Sequence, residues 1–255
     1  MQLEGDDMLQ DLTGQVAWIT GAGTGIGEAG AVKLAEAGCK IVLSGRRPEP
    51  LEAVRAQVEA AGAEVMVEPL DVSSNDDVLA VVGRIKERFG RIDIGVFSAG
   101  INVKDRNWPV VTPELWDQVI GIDLDGAFYC CSAVLPIMRE QGGGLVMNIS
   151  SMAAKGVSPL TGPAYTAAKH AMNAMTASLL VEERNNGIRA TAICPGEVAT
   201  PILDNRPVPV SAEDQARILQ SEELGDLILF VAQQPPSVTL NEVLITPTYN
   251  RFAAS

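Results

Sequence analysis

The chain has 255 residues, of which 47% are apolar and 20% charged, and its formal net charge is −13. The apolar content is too high for a disordered chain, and the excess of acids disfavours nucleic acids and anionic membranes, which attract clustered Lys and Arg. The four cysteines form no CxxC pair and the chain has one histidine, so we expect no metal site and interpret the cysteines as buried, reduced residues.

The N-terminal segment MQLEGDDMLQD is acidic and lacks the basic start and apolar centre of a secretion signal. The apolar stretches of the sequence are shorter than the ~18 residues expected of a membrane-spanning helix. We therefore expect a cytoplasmic protein without a membrane partner.

Short apolar segments alternate with longer segments of helical periodicity. This alternation predicts right-handed βαβ units and a parallel sheet with helices on both faces. Strands are predicted at 15–20, 40–44, 64–69, 92–97, 145–149, 189–193 and 242–246. Helices are predicted near 25–37, 49–61, 74–89, 112–140, 163–185 and 221–233.

A glycine-rich turn, Thr20-Gly21-Ala22-Gly23-Thr24-Gly25-Ile26-Gly27, joins the first predicted strand to the first helix. A pyrophosphate needs close backbone approach and free N–H groups at a helix start, and glycine permits both. The turn predicts a nucleotide site, because a purely structural turn needs fewer glycines. The cofactor-binding candidates here are Gly21, Thr24, Gly25, Ile26 and Gly27.

The second predicted strand is followed by two arginines, Arg46 and Arg47, and no carboxylate. An acid near this position usually binds the ribose 2′-hydroxyl of NAD, whereas paired guanidinium groups suit the 2′-phosphate of NADP. The sequence therefore favours NADP, with NAD as the alternative. Two solvated charges at a helix start would give the same pattern.

Tyr165 and Lys169 are four residues apart in a predicted helix, so they lie on one helix face. A cation near a phenol favours the phenolate, and Tyr165 can then exchange a proton with a carbonyl or an alcohol. Taken alone, the pair is more simply an exposed Tyr and Lys on an amphipathic helix. His170 projects off this face, and we expect a packed or interface histidine rather than a general base.

Six segments together resemble the motif series of the short-chain dehydrogenases/reductases over about residues 13–246. They are TGAGTGIG (20–27), LDV (70–72), SAG (98–100), NISS (148–151), YTAAK (165–169) and CPGEVAT (194–200). The resemblance implies a single doubly wound Rossmann domain over 1–255, with a seven-stranded, mainly parallel sheet. It also implies an oxidoreductase that transfers a hydride between a nicotinamide and a carbonyl or secondary alcohol of a small molecule.

The resemblance implies roles for individual residues. Tyr165 is the expected general acid/base, Lys169 also binds the nicotinamide ribose, and Ser151 hydrogen-bonds the substrate oxygen. The family also suggests a homo-oligomer, a tetramer or a dimer, built through helices 112–140 and 163–185. Further cofactor-binding candidates are Asp71, Val72, Ala99, Gly100, Pro195, Gly196, Val198 and Thr200.

Two departures from the family pattern bear on activity. Asp123 stands where the family usually has a catalytic Asn, and Phe97-Ser98 replaces the usual Asn-Asn. We keep Asp123 as a catalytic candidate, although an acid there adds negative charge near the proton relay. The alternative function is a non-catalytic, nucleotide-binding redox sensor or scaffold.

The substrate pocket is expected from residues 101–108 and 152–164 and from a proline-rich lid around 197–220. A long irregular segment in a compact domain is often a lid or a binding loop. Lys104 and Arg106 can attract an acidic substrate, although solvated loop cations are the simpler interpretation. The sequence does not identify the substrate or the direction of the reaction.

Overall fold

The computed structural model describes residues 9–249, so the expectation for the first eight residues lies outside them. In this part of the chain, seven strands form one sheet in the order β3-β2-β1-β4-β5-β6-β7, and all neighbouring pairs are parallel. The doubly wound α/β fold is thereby confirmed. The strands are β1 Val16–Thr20, β2 Lys40–Gly45, β3 Val65–Pro69, β4 Ile94–Phe97, β5 Gly144–Ile149, β6 Ile188–Pro195 and β7 Glu242–Ile245.

Helices cover both faces of the sheet, because the right-handed crossovers that lead from β1 to β3 and those that lead from β3 to β6 run in opposite directions along the strand order. The helix between β6 and β7 departs from this rule and lies on the same face as the first two helices. Helices α1, α2 and α8 pack on one face and α3, α5 and α6 on the other. The helices are α1 Gly25–Glu36, α2 Pro48–Ala60, α3 Asn75–Phe89, α4 Pro113–Ile120, α5 Gly126–Gln141, α6 Pro163–Glu183, α7 Ala212–Gln215 and α8 Ser221–Ala232.

Strand β1 shows how the sheet is buried on both faces. Successive side chains of a strand point to opposite faces, so Ala17 and Ile19 belong to one core cluster and Val16 and Trp18 to the other. The Trp18 ring packs edge-on against Phe97 at a centroid distance of 5.4 Å. Its indole N–H donates to the Ser44 hydroxyl at 3.0 Å, which satisfies the buried donor.

The predicted helix 112–140 is one helical run with an unexpected interruption. A π-helical turn, Gly121–Asp125, separates α4 from α5. A π-turn adds a residue to the hydrogen-bonded ring and is frequent at functional sites. This turn carries Asp123, and it places that residue's side chain inside the protein.

The same run, Pro113–Gln141, is long and apolar enough to cross a membrane, contrary to the sequence-based expectation that no segment would be. Length and composition alone are weak evidence, because the core helices of water-soluble proteins pass the same test. Half of its most apolar window is buried inside the protein. Val134 and Met138 on this run belong to the core cluster between α3, α5 and the sheet.

The proline-rich segment after β6 is more ordered than the sequence indicates. It contains a 3₁₀ helix, Pro201–Asn205, and the short α7. Val198 and Leu219 close its base through a parallel bridge. Leu203, Val210 and Ile218 form a separate small apolar cluster, so the segment packs on its own side chains as compact surface loops do.

Candidate active site

A cleft of about 550 Å³ opens beyond the carboxyl ends of the strands. It lies where the strand order reverses between β1 and β4, the position at which open α/β sheets bind ligands. Gly27 does not line the cleft, but the other predicted site residues do. They are Ser151, Tyr165, Lys169, Asp123, Gly21, Thr24, Gly25, Ile26, Arg46, Arg47, Asp71, Val72, Ala99, Gly100, Pro195, Gly196, Val198 and Thr200.

The glycine-rich turn needs its glycines for close packing. Gly21 has φ +64°, and a Cβ there would lie 2.8 Å from the backbone of Ser98 and Ala99. A Cβ on Gly27 would lie 2.4 Å from the Gly21 carbonyl oxygen, so Gly27 acts in packing. Thr24, the residue before α1, makes no side-chain cap, which leaves the first N–H groups of α1 at the cleft without a side-chain acceptor.

Arg46 and Arg47 are exposed at the cleft, at the end of β2 and the start of α2. Neither contacts a carboxylate within residues 9–249. Arg47 precedes α2 without capping it through its side chain. The positive end of the helix dipole and two guanidinium groups therefore meet at this edge of the cleft.

Asp71 and Val72 follow the end of β3, Ala99 and Gly100 follow the end of β4, and all four line the cleft, as expected from the sequence. The Asp71 carboxylate accepts hydrogen bonds from the Ser73 N–H at 3.0 Å and from its hydroxyl at 2.7 Å. These bonds fix the turn between β3 and α3. The N–H of Ala99 donates to the Thr20 hydroxyl at 3.3 Å, which joins the ends of β4 and β1.

Ser151, Tyr165 and Lys169 come together at the same cleft. The Ser151 hydroxyl oxygen accepts a hydrogen bond from the Ala153 N–H at 3.1 Å, so its own proton is free to be donated to a ligand. The Lys169 Nζ lies 5.4 Å from the centre of the Tyr165 ring. It also donates to the Ile149 carbonyl at 3.1 Å, which holds the ammonium beside the phenol.

Asp123 is fully buried next to this group. Its Oδ1 accepts a hydrogen bond from the Ile101 N–H at 2.8 Å, and its Oδ2 lies 3.4 Å from the Lys169 Nζ. Burial raises the pKa of Asp123, and the charge of Lys169 and the Ile101 N–H oppose that rise. The acid at the usual Asn position is therefore the counter-ion of Lys169.

The segment after β6 forms the remaining wall. Gly196 donates to the Ile245 carbonyl at 2.8 Å, and Ala199 donates to the Leu219 carbonyl at 2.8 Å. Thr200 lies so close to the glycine-rich turn that a Cβ on Gly25 would meet its methyl carbon at 2.9 Å. Backbone contacts therefore anchor this wall at β7 and at Leu219.

The structure separates two residues that the sequence analysis grouped together. Lys104 is exposed and does not line the cleft, whereas Arg106 is buried and does. Sequence reasoning also missed Asn102, which lines the cleft and donates to the Thr161 carbonyl at 3.0 Å. His170 is exposed, and its Nδ1 lies 2.9 Å from the Thr166 carbonyl oxygen.

Comparison of the sequence with known proteins gives consistent matches. A family model described as short chain dehydrogenase matches residues 15–208. An uncharacterized oxidoreductase of Staphylococcus aureus (strain USA300) is 34% identical over 236 residues, which are 92% of this chain and 98% of that protein. Levodione reductase of Leifsonia aquatica is 42% identical over 196 residues, which are 76% of this chain and 73% of that protein.

Solved structures give the same result for the fold. The crystal structure of levodione reductase matches with a TM-score of 0.85 at 34% identity, covering 92% of this chain and 97% of that chain. A metagenomic short-chain oxidoreductase in complex with NADP matches with a TM-score of 0.82 at 31% identity, covering 94% of this chain and 100% of that chain. The likeness extends over nearly the whole chain.

Proposed function

The chain belongs to the short-chain dehydrogenase family and is an NAD(P)-dependent oxidoreductase, and from this premise we propose that it prefers NADP(H) and that Tyr165 exchanges the substrate proton. The observation that carries the proposal is that Ser151, Tyr165 and Lys169 share one cleft with the uncapped start of α1. The substrates are small carbonyl compounds or secondary alcohols. Nothing in the comparisons supports a non-catalytic sensor.

The cleft residues fit an NAD(P) molecule. The volume of the cleft, about 550 Å³, lies within the range of ~300–1,000 Å³ common for ligand pockets. The free N–H groups at the start of α1 suit the pyrophosphate, and Gly21 and Gly25, both at positive φ, form the tight turn before them. Asp71, Val72, Ala99 and Gly100 would line the adenosine side, and Pro195, Gly196, Val198 and Thr200 the nicotinamide side.

The preference for NADP rests on Arg46 and Arg47. Both are exposed at the cleft beside the start of α2. A 2′-phosphate placed there would meet two guanidinium donors and a positive helix end, whereas NAD has only a neutral 2′-hydroxyl at this position and no charge to pair with them. NAD would bind through the remaining contacts, with lower affinity.

In the proposed reaction, a bound nicotinamide would supply the hydride for reduction of a carbonyl or accept it from an alcohol. Tyr165 gives its hydroxyl proton to the carbonyl oxygen during reduction and takes a proton from the alcohol during oxidation. Ser151 donates its hydroxyl hydrogen to the same substrate oxygen and stabilises the negative charge that develops on it. Lys169 holds its positive charge beside the phenol, and Asp123 fixes the position of that ammonium.

We propose that residues 197–220 act as a lid on a single domain. Pro201–Arg206 line the cleft, while Leu203, Val210 and Ile218 give the segment a small core of its own. Such a segment can move as a unit about its base at Val198 and Leu219. Closing it would exclude water from the reacting atoms.

We further propose a homo-oligomer that forms through α4, α5 and α6 and resides in the cytoplasm. Phe128 on α5 and Val181 on α6 are more than half exposed. Large apolar side chains on the outer faces of these helices would be covered if two subunits packed together there. All four cysteines are free and buried, as suits a reducing compartment. The molecular mass by light scattering after size exclusion would give the number of subunits.

The test of function is nicotinamide absorbance during incubation with a panel of ketones, aldehydes, sugars and alcohols. Each compound is tested with both NADP(H) and NAD(H). We expect turnover with NADP(H) and a loss of roughly 10²–10⁴-fold in Tyr165→Phe, as is typical when an acid–base group is removed. Tyr129→Phe, which changes a tyrosine outside the cleft, is the matched control and should keep the wild-type rate. A Tyr165→Phe enzyme that keeps more than about a tenth of the rate would exclude the proton role.

A further inference from the structure

Arg106 is a buried cation at the cleft whose partners are all neutral. It is 5% exposed. Its Nε donates to the Val103 carbonyl at 2.7 Å, one Nη to the Leu160 carbonyl at 3.2 Å, and the other Nη to the Asn205 carbonyl. Within the described chain it has no carboxylate partner. Its positive charge is therefore hydrogen-bonded but not balanced.

Two other cations that line the same cleft, one buried and one partly buried, are paired with acids. Lys169 lies 3.4 Å from Asp123, and Arg206 lies 2.9 Å from Glu197. Desolvating a charge without a counter-ion is costly, so buried charges are normally paired. The missing counter-ion of Arg106 distinguishes it from these neighbours.

Arg106 is held rigidly in place. A Cβ on Gly162 would lie 2.3 Å from the Arg106 carbonyl oxygen and 2.9 Å from its Cβ, so the turn before α6 packs directly on this residue. Its three carbonyl partners come from the loop after β4, the loop before α6 and the 3₁₀ helix of the lid. The guanidinium is therefore positioned before any ligand binds.

The charge lies at the substrate end of the cleft. Arg106 lines the cleft together with Tyr165 and Arg206. Burial lowers the pKa of Arg106, the charge of Arg206 lowers it further, and the Tyr165 phenol opposes both. A guanidinium nevertheless stays protonated at physiological pH. The site thus presents a fixed positive charge near the proposed proton donor.

We propose that Arg106 binds a carboxylate of the substrate, so that this enzyme acts on oxo acids or hydroxy acids in preference to neutral ketones or alcohols. The proposal rests on the oxidoreductase function above. A guanidinium has five N–H groups, and three are used by carbonyls. The remaining two, one on each Nη, suffice for the two oxygens of one carboxylate. The carboxylate then supplies the counter-ion that the protein lacks.

The first test compares oxo acids with their methyl esters, using the full chain and NADPH. The pairs are pyruvate, acetoacetate, levulinate and benzoylformate, each with its ester, which vary the spacing between the carbonyl and the carboxylate. We expect kcat/KM for at least one acid to exceed that of its ester by about 10–100-fold, the range for charge-assisted hydrogen bonds. Esters reduced at least as well as every acid would overturn the proposal.

Two variants separate binding from a structural role. Arg106→Lys keeps the charge and Arg106→Gln keeps N–H donors without it. We expect Arg106→Gln to lose the preference for acids, mainly through KM, and Arg106→Lys to keep part of it. A purely structural role would reduce activity on acids and esters equally. Arg189→Gln is the matched control, because Arg189 also donates only to carbonyls, those of Gln234 and Val238, but lies outside the cleft.

A binding measurement makes the test independent of turnover. The protein is first saturated with NADPH and then titrated in a calorimeter with one small ligand at a time. The affinities of benzoate and benzamide are compared, and so are those of phenylacetate and phenylacetamide. We expect the carboxylates to bind about 10-fold or more tightly, and this difference to vanish in Arg106→Gln. Equal affinity for acid and amide would overturn the proposal. Turnover of neutral ketones together with equal affinities would refute the acid preference alone, whereas tight carboxylate binding without turnover of any carbonyl would refute the oxidoreductase proposal alone.

Discussion

The Nζ of Lys169 lies 3.4 Å from the Oδ2 of Asp123, and both side chains are buried. The π-helical turn between α4 and α5 brings the acid to this position. The positive charge beside Tyr165 is thus opposed by an adjacent negative charge.

This pair predicts the pH dependence of Asp123→Asn. Removing the negative charge strengthens the influence of Lys169 on the phenol, which favours the phenolate. We expect the pH at which alcohol oxidation reaches half its maximum to move down by about one unit, a shift typical of a single nearby charge. Cofactor affinity should change little. Asp125→Asn changes a second acid of the same π-turn that does not line the cleft, and it should leave the profile unmoved.

If the pH profile of alcohol oxidation is the same in Asp123→Asn and in the wild type, the charge of the carboxylate does not influence Tyr165. Burial raises the pKa of Asp123, so its negative charge is lost as the pH falls through that raised value. The ratio of the Asp123→Asn rate to the wild-type rate should therefore be largest between that value and the pH of half-maximal oxidation. It should disappear on the alkaline plateau, where both proteins are fully active, and shrink again at a pH below the pKa of Asp123. Growth of the ratio below that pKa would contradict this assignment of charge.

The parts of the fold that follow a hydrophobic period could be predicted from the sequence. β1 and β5 begin and end within about one residue of the predicted bounds, because doubly buried parallel strands are apolar throughout. The π-turn could not be predicted, since it changes a backbone hydrogen-bond pattern without a residue signature. The burial of Arg106 depends on carbonyls 54 and 99 residues away, and no local pattern reports such contacts.

The cofactor preference predicts the behaviour of Arg46→Ala and Arg47→Ala together. Loss of two charge-assisted contacts should raise the KM for NADPH about 10–100-fold, while the KM for NADH should change little. Steady-state kinetics with both cofactors measure the ratio. Arg55→Ala removes an exposed arginine from the same helix, α2, that pairs with Glu52 and Glu59 outside the cleft. It should leave both KM values unchanged, and equal losses for the two cofactors in the double variant would refute the preference.

The cysteines predict slow thiol chemistry in the folded protein. Burial raises the pKa of Cys39 and of Cys131 to about 12, and it also raises those of Cys130 and Cys194. The thiolate is the reactive species, so Ellman's reagent at pH 8 should label almost no thiol in the native protein and all four after denaturation. Rapid labelling of one thiol before unfolding would show that its pocket opens.

The ion pair of Arg139 with Glu183 predicts how stability depends on pH. Arg139 on α5 donates two hydrogen bonds to Glu183 on α6, one of them from Nε to Oε2 at 2.9 Å. Hydrogen bonds from Arg139, and from Asn186 at 2.7 Å, lower the pKa of Glu183. A lowered folded-state pKa contributes stability above the unfolded value of about 4.3 and loses it as the pH falls through the folded value.

Glu183→Gln should therefore reduce the free energy of unfolding by about 1 kcal/mol at pH 7. The expected loss is smaller than for a fully buried ion pair because Arg139 is half exposed and water screens its charge. The deficit should shrink as the pH is lowered below about 4.3, where the wild-type carboxylate also becomes protonated. Urea unfolding at several pH values measures both quantities. Glu182→Gln changes the neighbouring acid, which contacts Ser178 rather than a cation, and should show no such trend. A deficit in Glu183→Gln that stays constant with pH would mean that packing between α5 and α6, and not the ion pair, is what the substitution disturbs.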